Sequence, residues 1–154
     1  MKLKKIISNL SLKEKISLLS GFDNWYTPEL KKYGIPKIKM SDGPNGVRGD
    51  SNTPQTSACF PSPILLGATW NEKLIKKIGS ATGEEALFKD VDVLLAPTIN
   101  LHRHPLGGRH FECYSEDPVL TSKIACAYVS GVQSKGVAAC LKHFAGNDTE
   151  FERH

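Results

Sequence analysis

Val91-Asp-Val-Leu-Leu-Ala96 is a short, almost continuous apolar run that ends at Pro97, and a run of this kind predicts a buried strand. Before it, Asn71 is a good N-cap for a helix that extends to about Lys89. After it, Pro118 suits the first turn of a helix that extends to about Lys135. Gly136 ends that helix, and Val137-Ala-Ala-Cys-Leu141 predicts another buried strand. The helix after Asn71 is expected to turn these side chains inward: Leu74, Ile75, Ile78, Ala81 and Ala86.

The same alternation extends towards the N-terminus. Ser11-Leu-Lys-Glu14 has the spacing of a capping box and opens a helix. The apolar face of that helix is expected to hold Ile16, Leu18 and Leu19. Lys37-Ile-Lys-Met40 alternates like a short strand and leads into the turn Ser41-Asp-Gly-Pro44. Residues 43–70 are rich in Pro and Gly and predict a long irregular loop.

This order of helices and strands is typical of parallel α/β architecture. A complete (β/α)8 barrel needs about 250 residues, and this chain has 154. We therefore expect an incomplete barrel with about three parallel strands and flanking helices. In such folds ligands bind beyond the carboxyl ends of the strands. The polar residues that follow the predicted strands are thus site candidates: Asp42, the stretch from Asn100 to Arg109, Lys142 and His143.

Composition and charge exclude several classes of protein. With 40% hydrophobic and 23% charged residues, the chain does not have the composition of a disordered tail, a collagen or a coiled coil. The formal net charge is +4, and the excess lies in residues 1–40, which hold nine Lys and three acidic residues. These lysines are spaced along a predicted amphipathic helix and strand, which indicates a surface in contact with water. We therefore expect no nucleic-acid partner.

The chain also shows no targeting or membrane signal. Its first apolar stretch is shorter than the roughly 7–15 residues of a signal-peptide core, and no segment has the roughly 18 apolar residues of a membrane span. The cysteines lack CxxC spacing and have mostly apolar or aromatic neighbours, which predicts buried free thiols; they are Cys59, Cys113, Cys126 and Cys140. The expected location is the cytoplasm, without a membrane partner.

Asp42 is the first residue with a chemical interpretation. An ionised carboxylate accepts two hydrogen bonds, which suits two neighbouring sugar hydroxyls. Arg48, across a Pro-Gly turn, is placed to return to the same pocket as a donor. The sequence Asp-Gly-Pro is also common turn chemistry, so a purely structural interpretation stays open.

The second candidate stretch follows the strand that ends at Ala96. Gly107 and Gly108 permit a sharp bend that aims the guanidinium of Arg109. A zinc site is an alternative there, with ligands drawn from His102, His104, His110 and Cys113. That spacing matches no standard metal pattern, so we expect no metal. Glu116 and Asp117 are expected to favour the N-terminus of the following helix electrostatically.

The third candidate pair is Lys142 and His143, two donors of different reach at a predicted strand end. Taken alone, they could equally be surface residues. No serine or cysteine triad, Walker loop or GxGxxG motif is present in the sequence.

Together these stretches resemble the N-terminal part of the catalytic barrel domain of glycoside hydrolase family 3, the β-glucosidase family. The resemblance rests on three motifs in order along the chain: Ser41-Asp-Gly-Pro44 with Val47-Arg48; Asn100, Arg103, Pro105, Gly108-Arg109, Phe111-Glu112 and Ser115-Glu-Asp-Pro118; and Lys142-His-Phe144 with Asn147, Glu150 and Arg153. It spans nearly the whole chain.

The resemblance implies a retaining β-glucosidase that removes terminal β-D-glucosyl residues from a small β-glucoside or oligosaccharide, without a cofactor. It implies roles in binding the sugar ring for five residues: Asp42, Arg48, Arg109, Lys142 and His143. In the family the nucleophilic Asp and the acid/base Glu lie later, so both are expected beyond His154, and the chain is expected to be a truncated segment of the barrel, without the rest of the barrel or the following α/β domain. The alternative function is a non-catalytic sugar-binding or regulatory remnant. A chain with so few strands would expose a strand edge, through which we expect it to self-associate.

Overall fold

The computed structural model of the chain describes residues 2–49, 55–150 and 152. The chain divides into two compact units, Met1–Met40 and Ser41–His154. Arg153, the last residue quoted for the family resemblance, lies outside the described residues.

The first unit begins with two short helices, α1 (Lys2–Asn9) and α2 (Leu12–Leu19). The predicted capping box opens α2: the Ser11 amide donates to Glu14 Oε2 at 2.7 Å, and the Glu14 amide donates to Ser11 Oγ at 3.2 Å. The residues expected on the apolar face of α2 are not covered in the structure, because α2 contains no buried residue and Leu19 is 90% exposed. Sequence patterning did not predict α1.

The strand predicted at Lys37–Met40 lies further along the chain. The observed strand, β1, is Met40–Asp42. The segment predicted as a strand bonds to residues earlier in the first unit: the Thr27 amide donates to Ile38 O at 3.0 Å, and the Met40 amide donates to Trp25 O at 2.7 Å. This pairing, which local alternation does not reveal, moves the start of the strand and places Asp42 at its last position.

The second unit carries the remaining helices and strands. They are α3 (Pro63–Ala68), α4 (Glu72–Phe88), β2 (Val93–Leu95), α5 (Pro118–Gln133) and β3 (Ala138–Ala139). The sheet has the order β1-β2-β3, and β2 pairs parallel with β3 in the register Val93 to Ala138. The expected fold class is confirmed: three parallel strands with flanking helices form part of a barrel.

The local signals that predicted the two long helices act as expected. Asn71 Oδ1 accepts a hydrogen bond from the Leu74 amide at 3.0 Å, as predicted for an N-cap, and Pro118 lies in the first turn of α5. Asp117, which was expected to act only through its charge, is also a hydrogen-bonding cap, because its Oδ1 accepts from the Val119 amide at 2.8 Å. The prediction that residues 43–70 are irregular throughout was wrong, because α3 lies within them. Its proline occupies the first helical turn, where the missing N–H removes no helical hydrogen bond.

The core lies between the sheet and the pair α4 and α5. Its buried members are Val47, Leu66, Ile75, Ala86, Val91, Leu94, Ala96, Tyr114, Ile124, Ala125, Tyr128, Val132 and Val137. Of the residues predicted to face inward from α4, Ile75 and Ala86 are buried and Ile78 packs partly against the core. Leu74 and Ala81 are exposed, because the buried side of α4 is rotated about the helix axis from the predicted face, towards Gly79, Thr82 and Gly83.

Glycine lets α4 and α5 approach each other closely. A Cβ at Gly79 would lie 2.3 Å from Tyr128 O on α5, and a Cβ at Gly131 would lie 2.3 Å from Lys76 O on α4. Real Cβ atoms essentially never approach an oxygen this closely. The two glycines therefore set the distance between α4 and α5, the two helices that pack on the sheet.

The prediction of four buried thiols was wrong for three of them. All four cysteines are free, but only Cys113 is buried, whereas Cys59, Cys126 and Cys140 are exposed. Cys126 lies on the outer side of α5, and Cys140 follows the last strand of the sheet, where the described residues provide no further covering strand. Among the helices of the described residues, none is long and apolar enough to cross a lipid bilayer.

Candidate functional site

The carboxyl ends of the strands meet on one side of the sheet. Asp42 is the last residue of β1, Thr98 follows β2, and Lys142 follows β3. Thr98 and Lys142 form a parallel bridge, the Lys142 amide donates to Pro97 O at 3.0 Å, and the Ile99 amide donates to Lys142 O at 2.7 Å. The loops that follow β2 and β3 are thus fixed side by side, as the strand order predicts.

An ion pair joins the first and last of these strand ends. The Lys142 ammonium donates to Asp42 Oδ1 at 2.6 Å, with side-chain exposures of 16% and 36%. Asp42 therefore does more than form a turn, since its carboxylate points to a cation from the far end of the chain. The pair keeps one side accessible to solvent and presents a carboxylate acceptor beside an ammonium donor.

Arg48 is joined to the residue pair Asp42 and Lys142 through its backbone. Its amide donates to Asp42 O at 2.9 Å, and the Gly49 amide donates to Ser41 Oγ at 2.9 Å. These bonds close the loop after β1. The Arg48 side chain is exposed, and within the described residues its guanidinium has no hydrogen bond or ion pair. Among the described residues, the structure therefore joins Arg48 to Asp42 by its backbone amide alone.

Arg109 is held by carboxylates. Its Nε donates to Glu112, and its Nη1 lies 4.0 Å from Glu150 Oε1. Glu112 is only 6% exposed, and its other oxygen accepts a hydrogen bond from Thr98 Oγ1 at 3.0 Å. The hydrogen bond to Glu112 raises the pKa of Arg109 above its ordinary value, so the guanidinium stays charged.

Glu112 is a residue whose role the sequence did not reveal. A single 3-10 turn, His110–Glu112, brings it back onto Arg109, and its hydrogen bond to Thr98 ties both to the end of β2. The spacing of three residues between Arg109 and Glu112 was visible in the sequence. The partner that fixes the orientation, Thr98, was not.

His143 is oriented by Asn100. The Asn100 side-chain oxygen accepts a hydrogen bond from the His143 amide at 3.1 Å and lies 3.0 Å from His143 Nδ1. Because an amide oxygen only accepts, this contact assigns the proton to Nδ1 of the imidazole. Asn100 is 6% exposed, so a buried amide sets both the backbone and the ring of His143.

A second ion pair connects the loops after β2 and β3. Asp148 accepts from Arg103 Nε at 2.7 Å and from the Leu101 amide at 3.1 Å. The hydrogen bond from Arg103, followed by the one from Leu101, lowers the pKa of Asp148 despite some burial. Asp148 is therefore an ionised brace between the two loops.

The histidines proposed for the alternative zinc site contact carbonyl oxygens. His102 Nε2 lies 3.1 Å from both His110 O and Cys113 O, and His110 Nε2 contacts His104 O. Burial raises the pKa of the Cys113 thiol to about 11, which disfavours the thiolate that zinc requires. In the part of the chain that the structure describes, no group of three or more His, Cys, Asp or Glu side chains is arranged to hold a metal ion.

Known proteins are similar to this chain in sequence and in fold. The description "Glycosyl hydrolase family 3 N terminal domain" belongs to the family model that matches residues 6–154. A beta-glucosidase from Rhizobium radiobacter is 54% identical over 150 residues, which are 96% of this chain and 18% of that protein.

Solved structures show the same relationship. Beta-glucosidase 3B from Thermotoga neapolitana, in complex with glucose, matches with a TM-score of 0.89 at 41% identity, over 99% of this chain and 24% of that one. Beta-glucosidase from Kluyveromyces marxianus, also in complex with glucose, matches with a TM-score of 0.91 at 42% identity, over 96% of this chain and 18% of that one. The chain thus spans less than a quarter of the length of each of these relatives. Since the family model covers nearly all of it, the chain belongs to glycosyl hydrolase family 3, as part of the family's N-terminal domain.

Proposed function

We propose that the chain is the sugar-binding part of a retaining β-glucosidase, which removes terminal non-reducing β-D-glucosyl residues from a small glucoside or oligosaccharide. The observation that carries this proposal is the ion pair between Lys142 and Asp42, which joins two strand ends on an open face of the molecule. The relatives named above are beta-glucosidases, and two of the solved ones hold glucose.

The side chains of the five candidate residues have the chemistry to bind a ring that carries several hydroxyls. The Asp42 carboxylate has lone pairs for two hydroxyl hydrogens, and the Lys142 ammonium has further N–H groups beyond the one given to Asp42. Arg109 offers a planar fork of donors held by Glu112. His143 offers an imidazole fixed by Asn100. Arg48, at the mouth of the loop after β1, is the donor that we expect to turn inward when sugar binds.

We place the chemical step outside residues 1–154. Retaining hydrolysis uses one carboxylate to attack the anomeric carbon and another to act as acid and then base, about 5–5.5 Å apart. The carboxylates among the candidate residues and their neighbours have cationic partners: Asp42 with Lys142, Glu112 and Glu150 with Arg109, and Asp148 with Arg103. Their pairing suits binding and bracing, so we assign none of them as nucleophile or acid/base.

Titration of the chain with glucose tests the binding role. We expect Asp42→Ala to weaken glucose binding by about tenfold or more, because a hydrogen bond to a charged group contributes about 1.5–3 kcal/mol. The matched control is Glu116→Ala, an exposed carboxylate on the loop after β2, which should leave the affinity unchanged. Calorimetry or chemical-shift titration measures both. Equal affinity in the chain and in Asp42→Ala would contradict the proposal.

An assay with an aryl β-glucoside tests where the chemistry lies. We expect residues 1–154 alone to give no turnover. Steady hydrolysis that Asp42→Ala abolishes would show that the nucleophile and acid/base are within the chain after all. The non-catalytic alternative is favoured if the natural protein that carries this chain binds glucose and does not hydrolyse glucosides.

A further inference from the structure

A buried ion pair lies at the end of α4, formed by two side chains that have no assigned role in binding the sugar. Lys89 is 2% exposed, although it carries a charge and caps a helix. Its ammonium lies 3.2 Å from Glu85 Oε1, one turn earlier on the same helix. Removing a charged group from water is unfavourable unless other groups replace the water, so the partners of this pair indicate what it does.

Those partners belong to the backbone that follows β1. Lys89 Nζ donates to Val47 O at 2.9 Å and also to Ser57 Oγ. Glu85 Oε1 accepts from the Ala58 amide at 2.8 Å, and Glu85 Oε2 lies 3.5 Å from the Val47 amide nitrogen. Two side chains of one helix therefore hold both polar groups of the Val47 backbone.

Val47 is the residue before Arg48, one of the candidate sugar-binding residues. The next residue, Arg48, donates its amide to Asp42 O at 2.9 Å. Gly46, on the other side, has φ 138 and packs so closely on Ala58 that a Cβ there would lie 2.1 Å from Ala58 O. The backbone from Asp42 to Arg48 is thus anchored to α4 at its far end, beside the exposed guanidinium.

We propose that Lys89 and Glu85 are positioning residues of the sugar site: they fix Val47 and so set where Arg48 and the loop after Asp42 stand when sugar binds. This inference rests on the proposed sugar-binding function. Neither side chain is placed to touch the ligand. The pair gives a second donor to the Val47 carbonyl, which Ser57 Oγ also bonds at 2.6 Å, and gives acceptors to the Val47 and Ala58 amides. An apolar pair could offer none of these bonds.

Hydrogen exchange tests the anchoring by itself. Lys89→Met keeps the length of the side chain and removes its donors, and we expect the Val47 and Ala58 amides to exchange at least about tenfold faster. The Ile75 amide, at the other end of α4, should keep its rate. Lys77→Met, an exposed lysine of the same helix, is the matched control and should change none of these rates.

A milder variant covers the case in which Lys89→Met does not fold. Glu85→Gln keeps the shape of the side chain and leaves one of the two oxygens that face the Val47 and Ala58 amides, so exchange of these amides should rise by a smaller factor. Unchanged Val47 and Ala58 exchange in the folded variants would overturn the proposal. So would an equal acceleration at Ile75, since that would mean a general loss of stability.

Glucose titration then tests the link to the site. In the unaltered chain we expect glucose to shift the amide resonances of Arg48 and His143. In Lys89→Met the shift at Arg48 should be lost while the shift at His143 persists, a split that a general loss of stability does not produce. Retention of both shifts would overturn the positioning role. If glucose shifts neither resonance in the unaltered chain, the proposed function fails, and the exchange rates still decide whether the pair anchors the loop.

Discussion

Glu112 is the residue on which the orientation of Arg109 depends. One oxygen accepts from Arg109 and the other from Thr98 Oγ1 at 3.0 Å, in a place that is almost closed to water. A glutamine there would have the same shape, but its amide nitrogen cannot accept, so one of the two donors would lose its partner.

We therefore expect Glu112→Gln to weaken glucose binding several-fold and to lower the free energy of unfolding by about 1–3 kcal/mol. Titration with glucose and urea unfolding measure the two effects. Glu116→Gln, an exposed change on the same loop, is the control and should alter neither. A variant at position 112 with full affinity would show that Arg109 keeps its orientation without Glu112.

Asp148 gives a prediction that depends on pH. The hydrogen bond from Arg103 lowers the pKa of Asp148 below its ordinary value of 3.8, so the folded chain holds this proton less tightly than the unfolded chain. The carboxylate therefore adds stability above the ordinary pKa, and this contribution is lost as the pH falls through the lowered one.

Urea unfolding of the chain and of Asp148→Asn at a series of pH values tests this expectation. The variant should be less stable at neutral pH, and the difference between the two free energies should narrow as the pH falls below about 4. A difference that stays constant down to pH 3 would mean that the ionised form of Asp148 is not the source of its stabilising effect.

At the scale of helices, the contact between α4 and α5 depends on backbone proximity. A Cβ at Gly79 would meet Tyr128 O at 2.3 Å, whereas a Cβ at Gly83 would meet Val132 O at 3.0 Å and the flexible Lys135 side chain. Alanine in a helix gains about 1 kcal/mol over glycine. At Gly83 that gain offsets a small displacement, and at Gly79 the helices have to separate.

We expect Gly79→Ala to lower the free energy of unfolding by about 1–3 kcal/mol, the usual cost of overfilling a core. Gly83→Ala, on the same helix, should lie within about 1 kcal/mol of the unaltered chain. Thermal or urea unfolding followed by circular dichroism compares the two. Similar losses at both positions would contradict the close approach of the helices at Gly79.

The same elements show what the sequence can predict. The helices α4 and α5 were predictable because Asn71, Asp117 and Pro118 act on the turn that follows them. The bounds of the strands were harder to predict. The strand β1 lies further along the chain than predicted, because residues 25–27 bond to the segment predicted as a strand, and local alternation does not show such a pairing.

The candidate site divides in the same way. Asp42, Arg109, Lys142 and His143 could be assigned to one side of the sheet because each follows a predicted strand. Their partners could not. The contact of Glu112 with Thr98 depends on which loops lie side by side, and the burial of Lys89 depends on the path of the chain after β1. Local patterns do not record either.

At the scale of the whole chain, the feature with a consequence for association is the edge of the sheet at β3. Within the described residues β3 is the last strand in the order, and Leu141 just after it is 44% exposed. An open strand edge with apolar neighbours is a template for pairing with another chain. We expect residues 1–154 to associate as their concentration rises.

Sedimentation over a range of concentrations tests this prediction. Leu141→Lys should weaken the association, because a charge at the edge opposes pairing. Leu106→Lys, at a position that is 86% exposed on a loop, is the control and should have no effect. A chain that stays monomeric at every concentration, with one cooperative unfolding transition, would contradict the prediction.

The ion pair between Asp42 and Lys142 has a consequence for the kind of molecule that can bind beside it. Its opposite charges largely cancel at a distance, so an approaching ligand meets a short-range dipole. An uncharged ligand rich in hydroxyls can exchange hydrogen bonds with both ends at once and leave the charges balanced. A phosphorylated sugar would bring negative charge next to the Asp42 carboxylate and compete with it for the ammonium. If the pair binds sugar as proposed, we therefore expect these loops to favour uncharged sugars over their phosphate esters, before any contact with a particular hydroxyl.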